Sequence, residues 1–259
     1  MFTKASGIFI LFFLLIAFFI SNLAIRQREK INIDPIPIHE NSQTSTNVYK
    51  KGSLNILWTT FKNTDTALFS NLPAKELSSN LVSLNNCENL VSGGFYSKED
   101  KHIGLFISNG EVISKSKEST LYNGFFYIND KSQSQITKEL PLRALYGLQA
   151  GPILLTDGEM EKIVSSGEGA RRIVAAVSAN PYETYFFIFW EDSNTLIGPS
   201  LSELPELLLA LSEEKNLKLE NAINLDGGTH AAYLTKEARI SEISPIGSFF
   251  CEKGLDNSL

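Results

Sequence analysis

Apolar and polar positions alternate in short runs along most of the chain, and this pattern predicts β-strands. The runs are Leu54–Phe61, Thr66–Ser70, Leu81–Leu84, Ile103–Ser108, Glu111–Ser114, Tyr122–Ile128, Tyr146–Leu155, Ile173–Ser178, Thr184–Trp190 and Asn221–Leu225. Thr184–Trp190 is almost wholly apolar, which predicts a central strand buried on both faces. Asn109-Gly110 separates two runs and predicts a tight hairpin, because this pair supplies the positive φ angles of a type I′ turn.

One segment near the carboxyl end has helical spacing instead. Its apolar stripe consists of Leu204, Leu207, Leu208 and Leu211. Ser200 and Ser202 can cap this helix, and Pro205 is tolerated in a first turn. About ten strands with one or two helices predict an α+β fold, a single β-rich domain with a mixed sheet, over residues 54–259.

The amino-terminal segment, residues 1–30, has a different composition. Every residue from Ile8 to Ile20 is Ile, Leu, Phe or Ala, and the uncharged stretch 5–25 would span about 30 Å as a helix. We expect a transmembrane anchor here. A cleaved secretory signal is the alternative, but cleavage after Ala24 would put Asn22, which is not a small residue, at the −3 position.

The region between this segment and the body contains Pro35 and Pro37 and shows no strand or helix periodicity, so residues 31–53 are predicted to be a flexible linker. An apolar segment so close to the amino terminus normally directs export of the rest of the chain, so we expect the body outside the cytoplasm. Cys87 and Cys251 are the only two cysteines. They could form one disulfide between the start and end of the body, or remain two buried thiols.

Charge and motif content narrow the function further. The net charge is −6, and the basic residues near the amino terminus leave the body more acidic still, which disfavours nucleic acid as a partner. The sequence has no phosphate-binding P-loop, no Gly-x-Ser-x-Gly, no His-Glu-x-x-His and no Cys-x-x-Cys. We therefore predict no metal site and no cofactor; acidic turns could hold Ca²⁺, but none has the ligand pattern of an EF-hand.

Four glycine-containing corners follow or precede predicted strands. They are Ser92-Gly93-Gly94-Phe95-Tyr96, Gln149-Ala150-Gly151-Pro152, Gly169-Ala170-Arg171-Arg172 and Asn224-Leu225-Asp226-Gly227-Gly228-Thr229-His230. Glycines allow close approach of a ligand to the backbone, although each corner alone could be an ordinary turn. We expect the four to converge on one polar cavity that presents an acid and a guanidinium to a ligand.

Taken together and in this order, these corners resemble the phosphodiester glycosidase family. The resemblance also includes Ile103–Gly110 and Asp157-Gly158, and it covers about Leu54 to Phe250. Two positions depart from the family pattern, since the family usually has Asn at Ser92, and Gly or Ser rather than Thr229-His230 after Asp-Gly-Gly. Both departures fall where we expect the substrate.

The resemblance implies hydrolysis of a sugar–phosphate diester at the anomeric carbon. A phosphomonoester leaves more easily than a sugar alkoxide, so a general acid is less needed than in ordinary glycosidases. We expect Asp226 to attack or to activate water, and either Arg171 or Arg172 to bind the phosphate, because strand alternation sends only one of them into the site. His230 could shuttle a proton or bind the phosphate, or be a histidine bonded to backbone.

The remaining candidates would bind the substrate. Ser92 and Gln149 could bond sugar hydroxyls, and Phe95 or Tyr96 could stack on a sugar face, although the aromatics could be core residues and Gln149 could cap a strand edge. The other predicted substrate-binding residues are Gly93, Gly94, Gly151, Gly227, Gly228 and Thr229. Asp157 is expected to be mainly a turn residue.

These expectations describe a membrane-anchored hydrolase that cleaves a sugar-1-phosphate diester in envelope or extracellular glycans. The alternative is a non-catalytic cell-surface polysaccharide-binding module of the same fold, and a purely structural envelope protein is a third. Fold alone does not decide between them.

Overall fold

The computed structural model describes residues 48–164 and 167–254 of the chain. The predicted anchor, residues 5–25, and most of the predicted linker lie outside these residues. In the described ranges, neither helix is long and apolar enough to cross a membrane. The strands are β1 (Val48–Lys51), β2 (Leu54–Lys62), β3 (Thr66–Ser70), β4 (Cys87–Ser92), β5 (Phe106–Ser108), β6 (Glu111–Ser114), β7 (Gly124–Asn129), β8 (Ser134–Thr137), β9 (Ala144–Ala150), β10 (Ile153–Thr156), β11 (Glu159–Met160), β12 (Arg172–Ser178), β13 (Glu183–Glu191), β14 (Leu219–Asn224), β15 (Tyr233–Leu234), β16 (Arg239–Ile240) and β17 (Ser248–Lys253). The helices are α1 (Ser78–Asn85) and α2 (Leu204–Lys215), and Gly228–His230 forms a short 3-10 turn.

The strands form three antiparallel sheets. The seven-stranded sheet has the order β1-β2-β13-β12-β14-β10-β11, and the two five-stranded sheets have the orders β16-β15-β4-β17-β3 and β6-β5-β9-β7-β8. The predicted central strand is confirmed, since β13 pairs along its length with β2 and also pairs with β12. Alternation along β13 places Phe186 and Ile188 on one face of the sheet and Phe187 and Phe189 on the other.

All three sheets contribute side chains to the main apolar core. At its centre, Phe186 of the seven-stranded sheet packs against Phe61 and Phe250, with ring centroids 4.7 and 4.9 Å apart, and Phe126 packs against Phe250 at 5.2 Å. The predicted leucine stripe of α2 covers the other face of the seven-stranded sheet. Helix α1 packs through Leu81 on the sheet that contains β4 and β17. The described residues therefore form a mostly-β single domain with two helices, in agreement with the α+β prediction. In place of the predicted mixed sheet, these residues form three sheets in which every strand pairing is antiparallel.

Most predicted strands are confirmed, and the Asn109-Gly110 hairpin has positive φ at both residues, 51° and 78°. Two predictions are wrong. Leu81–Leu84 lies inside α1, because a short apolar run does not distinguish a strand from one turn of helix. Tyr146–Leu155 is two strands, β9 and β10, in different sheets, because the chain breaks at Gly151-Pro152. Strand β1 (Val48–Lys51) lies within the region predicted to be a flexible linker, residues 31–53.

The two cysteines form a disulfide. Cys87 and Cys251 lie on the neighbouring strands β4 and β17, with Cα atoms 5.2 Å apart and a sequence separation of 164 positions. Both side chains are buried beside α1. The bond therefore links β4 to β17, the last strand of the described residues. Of the two alternatives that the sequence leaves open, a disulfide or two buried thiols, the structure has the disulfide.

Candidate active site

The four glycine-containing corners meet around the segment that follows β14. The Gly151 N–H donates a hydrogen bond to the Asn224 carbonyl at 3.1 Å, and the Asp226 N–H donates to the Gly93 carbonyl at 3.0 Å. The Gly228 N–H donates to the Arg171 carbonyl at 2.7 Å. Each of the other three corners is thus bonded to the segment that carries Asp226.

Two of the glycines are required by close contacts between backbones and side chains. A Cβ on Gly227 would lie 2.7 Å from the Arg171 carbonyl oxygen, and one on Gly93 would lie 2.7 Å from Ser248 Oγ. The same hydroxyl accepts the Gly94 N–H at 2.8 Å. Glycine at these two positions therefore allows close packing on either side of the hydrogen bond between Asp226 and Gly93, which links two sheets.

Asp226 is partly exposed, and its surroundings are unusual for a carboxylate. Burial raises the pKa of Asp226 to about 7, and a hydrogen bond from the Gly227 amide lowers it only in part. Among the described residues, the carboxyl group has no ion pair with Arg171 or Arg172 that would offset its burial. At neutral pH the group is therefore divided between acid and carboxylate, a state suited to proton transfer or to attack.

Two tyrosines lie near Asp226, and each packs against a further ring. The rings of Phe95 and Tyr122 are 4.8 Å apart, and Tyr96 meets His230 edge to face at 5.5 Å. Burial raises the pKa of Tyr122, and the negative charge of Asp226 raises it further. Burial also raises the pKa of Tyr96, and the charge of Asp226 acts in the same direction. Both phenols therefore lie within electrostatic reach of the carboxyl group.

Both arginines are engaged with backbone carbonyls. The buried Arg171 donates from Nε to the Gly228 carbonyl at 3.3 Å and from one terminal nitrogen to the Ser241 carbonyl at 3.2 Å. Arg172 donates to the carbonyls of Pro199 and Glu168. Arg171 thus binds the loop beside Asp226, whereas Arg172 binds two other segments. Which arginine would bind a phosphate stays a prediction.

The side chains of Gln149 and Ser92 are both hydrogen-bonded to backbone groups. The Gln149 amide accepts the N–H groups of Leu105 and Lys117 and donates to the carbonyls of Lys117 and Tyr122. All of its hydrogen-bonding groups are used by backbone, so it orients the segment that carries Tyr122.

The buried Ser92 hydroxyl accepts the Ala232 N–H at 3.1 Å. The side chain of Ser92, one of the two departures from the family pattern, therefore faces the segment that follows the Asp226 loop. Thr229 and His230 are the departure that borders the site. They lie in the 3-10 turn, Thr229 is exposed, and burial lowers the pKa of His230.

A cleft of about 710 Å³ adjoins Tyr122. Lys117, Ser119, Thr120 and Lys138 are among the residues that line it. The sequence does not predict this cleft, because it signals only a strand at Tyr122. Asp157 and Gly158 form the turn between β10 and β11, as expected. The described residues contain no cluster of three or more His, Cys, Asp or Glu residues that could hold a metal ion.

Comparisons with known proteins agree with this fold. The catalytic domain of zebrafish N-acetylglucosamine-1-phosphodiester alpha-N-acetylglucosaminidase, solved auto-inhibited by its pro-peptide, is 15% identical, covers 82% of this chain and 85% of that chain, and has a TM-score of 0.56. A hypothetical protein from Synechocystis is 13% identical, covers 79% of this chain and 60% of that chain, and has a TM-score of 0.58. At these identities the likeness is one of fold.

No curated protein sequence matches the chain significantly. The model of the phosphodiester glycosidase family, in contrast, matches residues 85–255, which include Asp226 and the other three corners. This match spans well over half of the sequence, so the chain belongs to the phosphodiester glycosidase family.

Proposed function

We propose that the protein hydrolyses a sugar-1-phosphate diester, with Asp226 as the catalytic carboxylate. The observation that carries this proposal is the carboxyl group of Asp226, with its pKa near 7, at the meeting point of the four corners. Family membership supports a hydrolase of this class. The rings of Phe95, Tyr96 and Tyr122 provide apolar faces of the kind that pack against sugar rings.

In this reaction the bond between the anomeric carbon and the phosphate oxygen breaks, and the electron pair leaves with the phosphomonoester. The ionised Asp226 either removes a proton from the attacking water or bonds to the anomeric carbon, with water displacing it afterwards. The oxygen of water ends on the sugar in both cases. The leaving phosphate carries its own negative charge and needs no proton from the protein, so a single carboxylate is sufficient.

N-acetylglucosamine is the first sugar to test, because the zebrafish protein of similar fold is named for that substrate. We propose that the natural substrates are envelope or extracellular glycans and that the protein is anchored in a membrane by residues 5–25. The disulfide between Cys87 and Cys251 supports a location outside the cytoplasm, where such bonds persist. The apolar amino-terminal segment supports the same location.

Hydrolysis in ¹⁸O-labelled water tests the reaction type. The substrate is a phenyl phosphodiester of N-acetylglucosamine 1-phosphate, and mass spectrometry locates the label. We expect ¹⁸O in the released sugar and none in phenyl phosphate, because attack is at carbon. Label in the phosphate would identify a phosphodiesterase and reject the proposal. Saturable binding of the diester without product would favour the polysaccharide-binding alternative.

A further inference from the structure

A phosphodiester substrate brings a negative charge to a site that already contains Asp226. The sequence analysis expects Arg171 or Arg172 to balance that charge, but both guanidinium groups donate to backbone carbonyls. Phosphate groups in proteins are commonly bound by Arg or Lys. Each guanidinium uses two of its five N–H groups in these bonds. A further cation near the site could share the phosphate.

Lys75 is positioned beside the site by a rigid turn. The Lys75 N–H donates to the Asn71 carbonyl at 2.7 Å, and the Asn71 side chain donates to the carbonyls of Glu76 and Ile246 at 2.9 Å each. The Glu76 N–H returns a bond to Asn71 Oδ1 at 3.0 Å. Asn71 is buried, so the turn is fastened to the segment at Ile246 rather than free in solvent.

Tyr96 is fastened to the same segment. Its hydroxyl donates to the Pro245 carbonyl at 2.8 Å, and its ring packs so closely on Gly247 that a Cβ there would lie 2.5 Å from the ring. Lys75 Nζ lies 5.6 Å from the centroid of the Tyr96 ring. The ring edge of Tyr96 also meets His230, in the loop that follows Asp226. Lys75 and the Asp226 loop thus border the same aromatic side chain.

The ammonium group of Lys75 is paired but accessible. Its Nζ lies 2.5 Å from Asp100 Oδ1, and about a third of each side chain is exposed. An ion pair with this exposure adds little stability by itself. It can, however, hold the ammonium beside Tyr96 until a phosphate group arrives and shares it.

We propose that Lys75 binds the phosphate group of the substrate beside Tyr96 and so selects phosphodiesters over neutral glycosides. This inference rests on the proposed function. Lys75 precedes residues 85–255, the part of the chain that the family model matches, so it would be a determinant supplied by this chain's own amino-terminal region.

Binding without turnover gives the most direct test. In an Asp226→Asn background, we expect Lys75→Met to weaken the binding of N-acetylglucosamine 1-phosphate by roughly tenfold or more in calorimetry, because one charge-assisted hydrogen bond is lost. Lys75→Arg should retain most of the affinity. Lys101→Met removes an exposed charge from the neighbouring loop and is the matched control, with affinity expected to be unchanged.

Kinetics separate a binding role from a structural one. With Asp226 intact, Lys75→Met should raise KM for the phenyl phosphodiester and leave KM for 4-nitrophenyl N-acetyl-α-glucosaminide unchanged. Equal effects on both substrates, or an equal effect of Lys101→Met, would overturn the inference. If the wild type hydrolyses the phenyl phosphodiester and Lys75→Met has the same KM for it, the role of Lys75 is rejected and the proposed function stands. The proposed function itself would be rejected if the wild type did not hydrolyse the diester and the Asp226→Asn variant did not bind the sugar phosphate.

Discussion

At the carboxyl group of Asp226, burial and hydrogen bonding oppose each other. Burial favours the protonated form, the Gly227 amide favours the carboxylate, and burial dominates. The residue is a candidate from sequence because its corner occurs together with three others in the order typical of the family, although Asp-Gly is by itself an ordinary turn pair. Its raised pKa cannot be predicted from sequence, since burial depends on how distant segments, such as those of Gly93 and Arg171, come together around it.

The raised pKa of Asp226 has a cost in stability. A carboxyl with a folded pKa of about 7 and an ordinary value of 3.8 stabilises the fold fully only below the lower value. This contribution is lost as the pH rises towards 7. Above that pH, the total loss in the free energy of unfolding is about 4 kcal/mol. We therefore expect the melting-temperature advantage of Asp226→Asn over wild type to grow between pH 4 and 7 and then to level off.

Thermal unfolding followed by circular dichroism at several pH values measures this trend. Asp157→Asn, in the exposed turn after β10, is the matched control and should show no comparable increase. A difference between Asp226→Asn and wild type that is the same at pH 4 and pH 8 would contradict the raised pKa.

At the level of elements, the sequence predicts the corners but not how they are connected. Asn109-Gly110 and the α2 stripe are local patterns, and the structure confirms both. For Gln149 and Arg171, in contrast, a polar side chain beside a glycine suggests a role in substrate binding. Both bind backbone carbonyls of segments remote in sequence, and residue type alone does not reveal such partners.

Two glycines should respond differently to alanine. Gly227 has extended φ, so alanine strains no dihedral there, but its Cβ would press on the Arg171 carbonyl at 2.7 Å and move the loop beside Asp226. We expect Gly227→Ala to lower kcat/KM at least tenfold, because small displacements of a catalytic group are costly. Steady-state kinetics and a melting curve on the same preparation measure this effect.

Gly110 supplies the control. It has φ of +78° and open space around its Cβ position, in the hairpin between β5 and β6. Gly110→Ala should lose about 1 kcal/mol of stability through backbone strain and keep its kcat/KM. If Gly227→Ala retained full activity, or Gly110→Ala lost as much of it, the close contact at Gly227 would not position Asp226.

At the level of the whole molecule, three sheets share one core, and their assembly brings the site together. Asp226 follows a strand of the seven-stranded sheet, Gly93 follows β4 of the second sheet, and Gln149 lies on β9 of the third. The strands themselves are largely predictable from alternation. Their division among three sheets is not, because it depends on a break such as the one at Gly151-Pro152 and on pairings between distant segments.

The disulfide should contribute substantially to the stability of this assembly. A bond between Cys87 and Cys251 restricts a long loop of the unfolded chain, which corresponds to roughly 2–5 kcal/mol. We expect the double variant Cys87→Ala, Cys251→Ala to unfold at correspondingly lower urea concentration and to keep its activity well below that midpoint. Dithiothreitol should shift the wild type and leave the double variant unchanged. Equal urea midpoints for the oxidised wild type and the double variant would contradict this role.

The catalytic assignment of Asp226 is tested most directly by the pH dependence of kcat/KM for the phenyl phosphodiester, in wild type and in Asp226→Asn. Because the carboxylate is the active form, we predict that wild-type activity rises as pH passes through about 7 and reaches a plateau above it. Asp226→Asn should lose at least about a hundredfold at the plateau and should retain its fold. A folded Asp226→Asn protein with wild-type turnover at pH 8 would contradict the account.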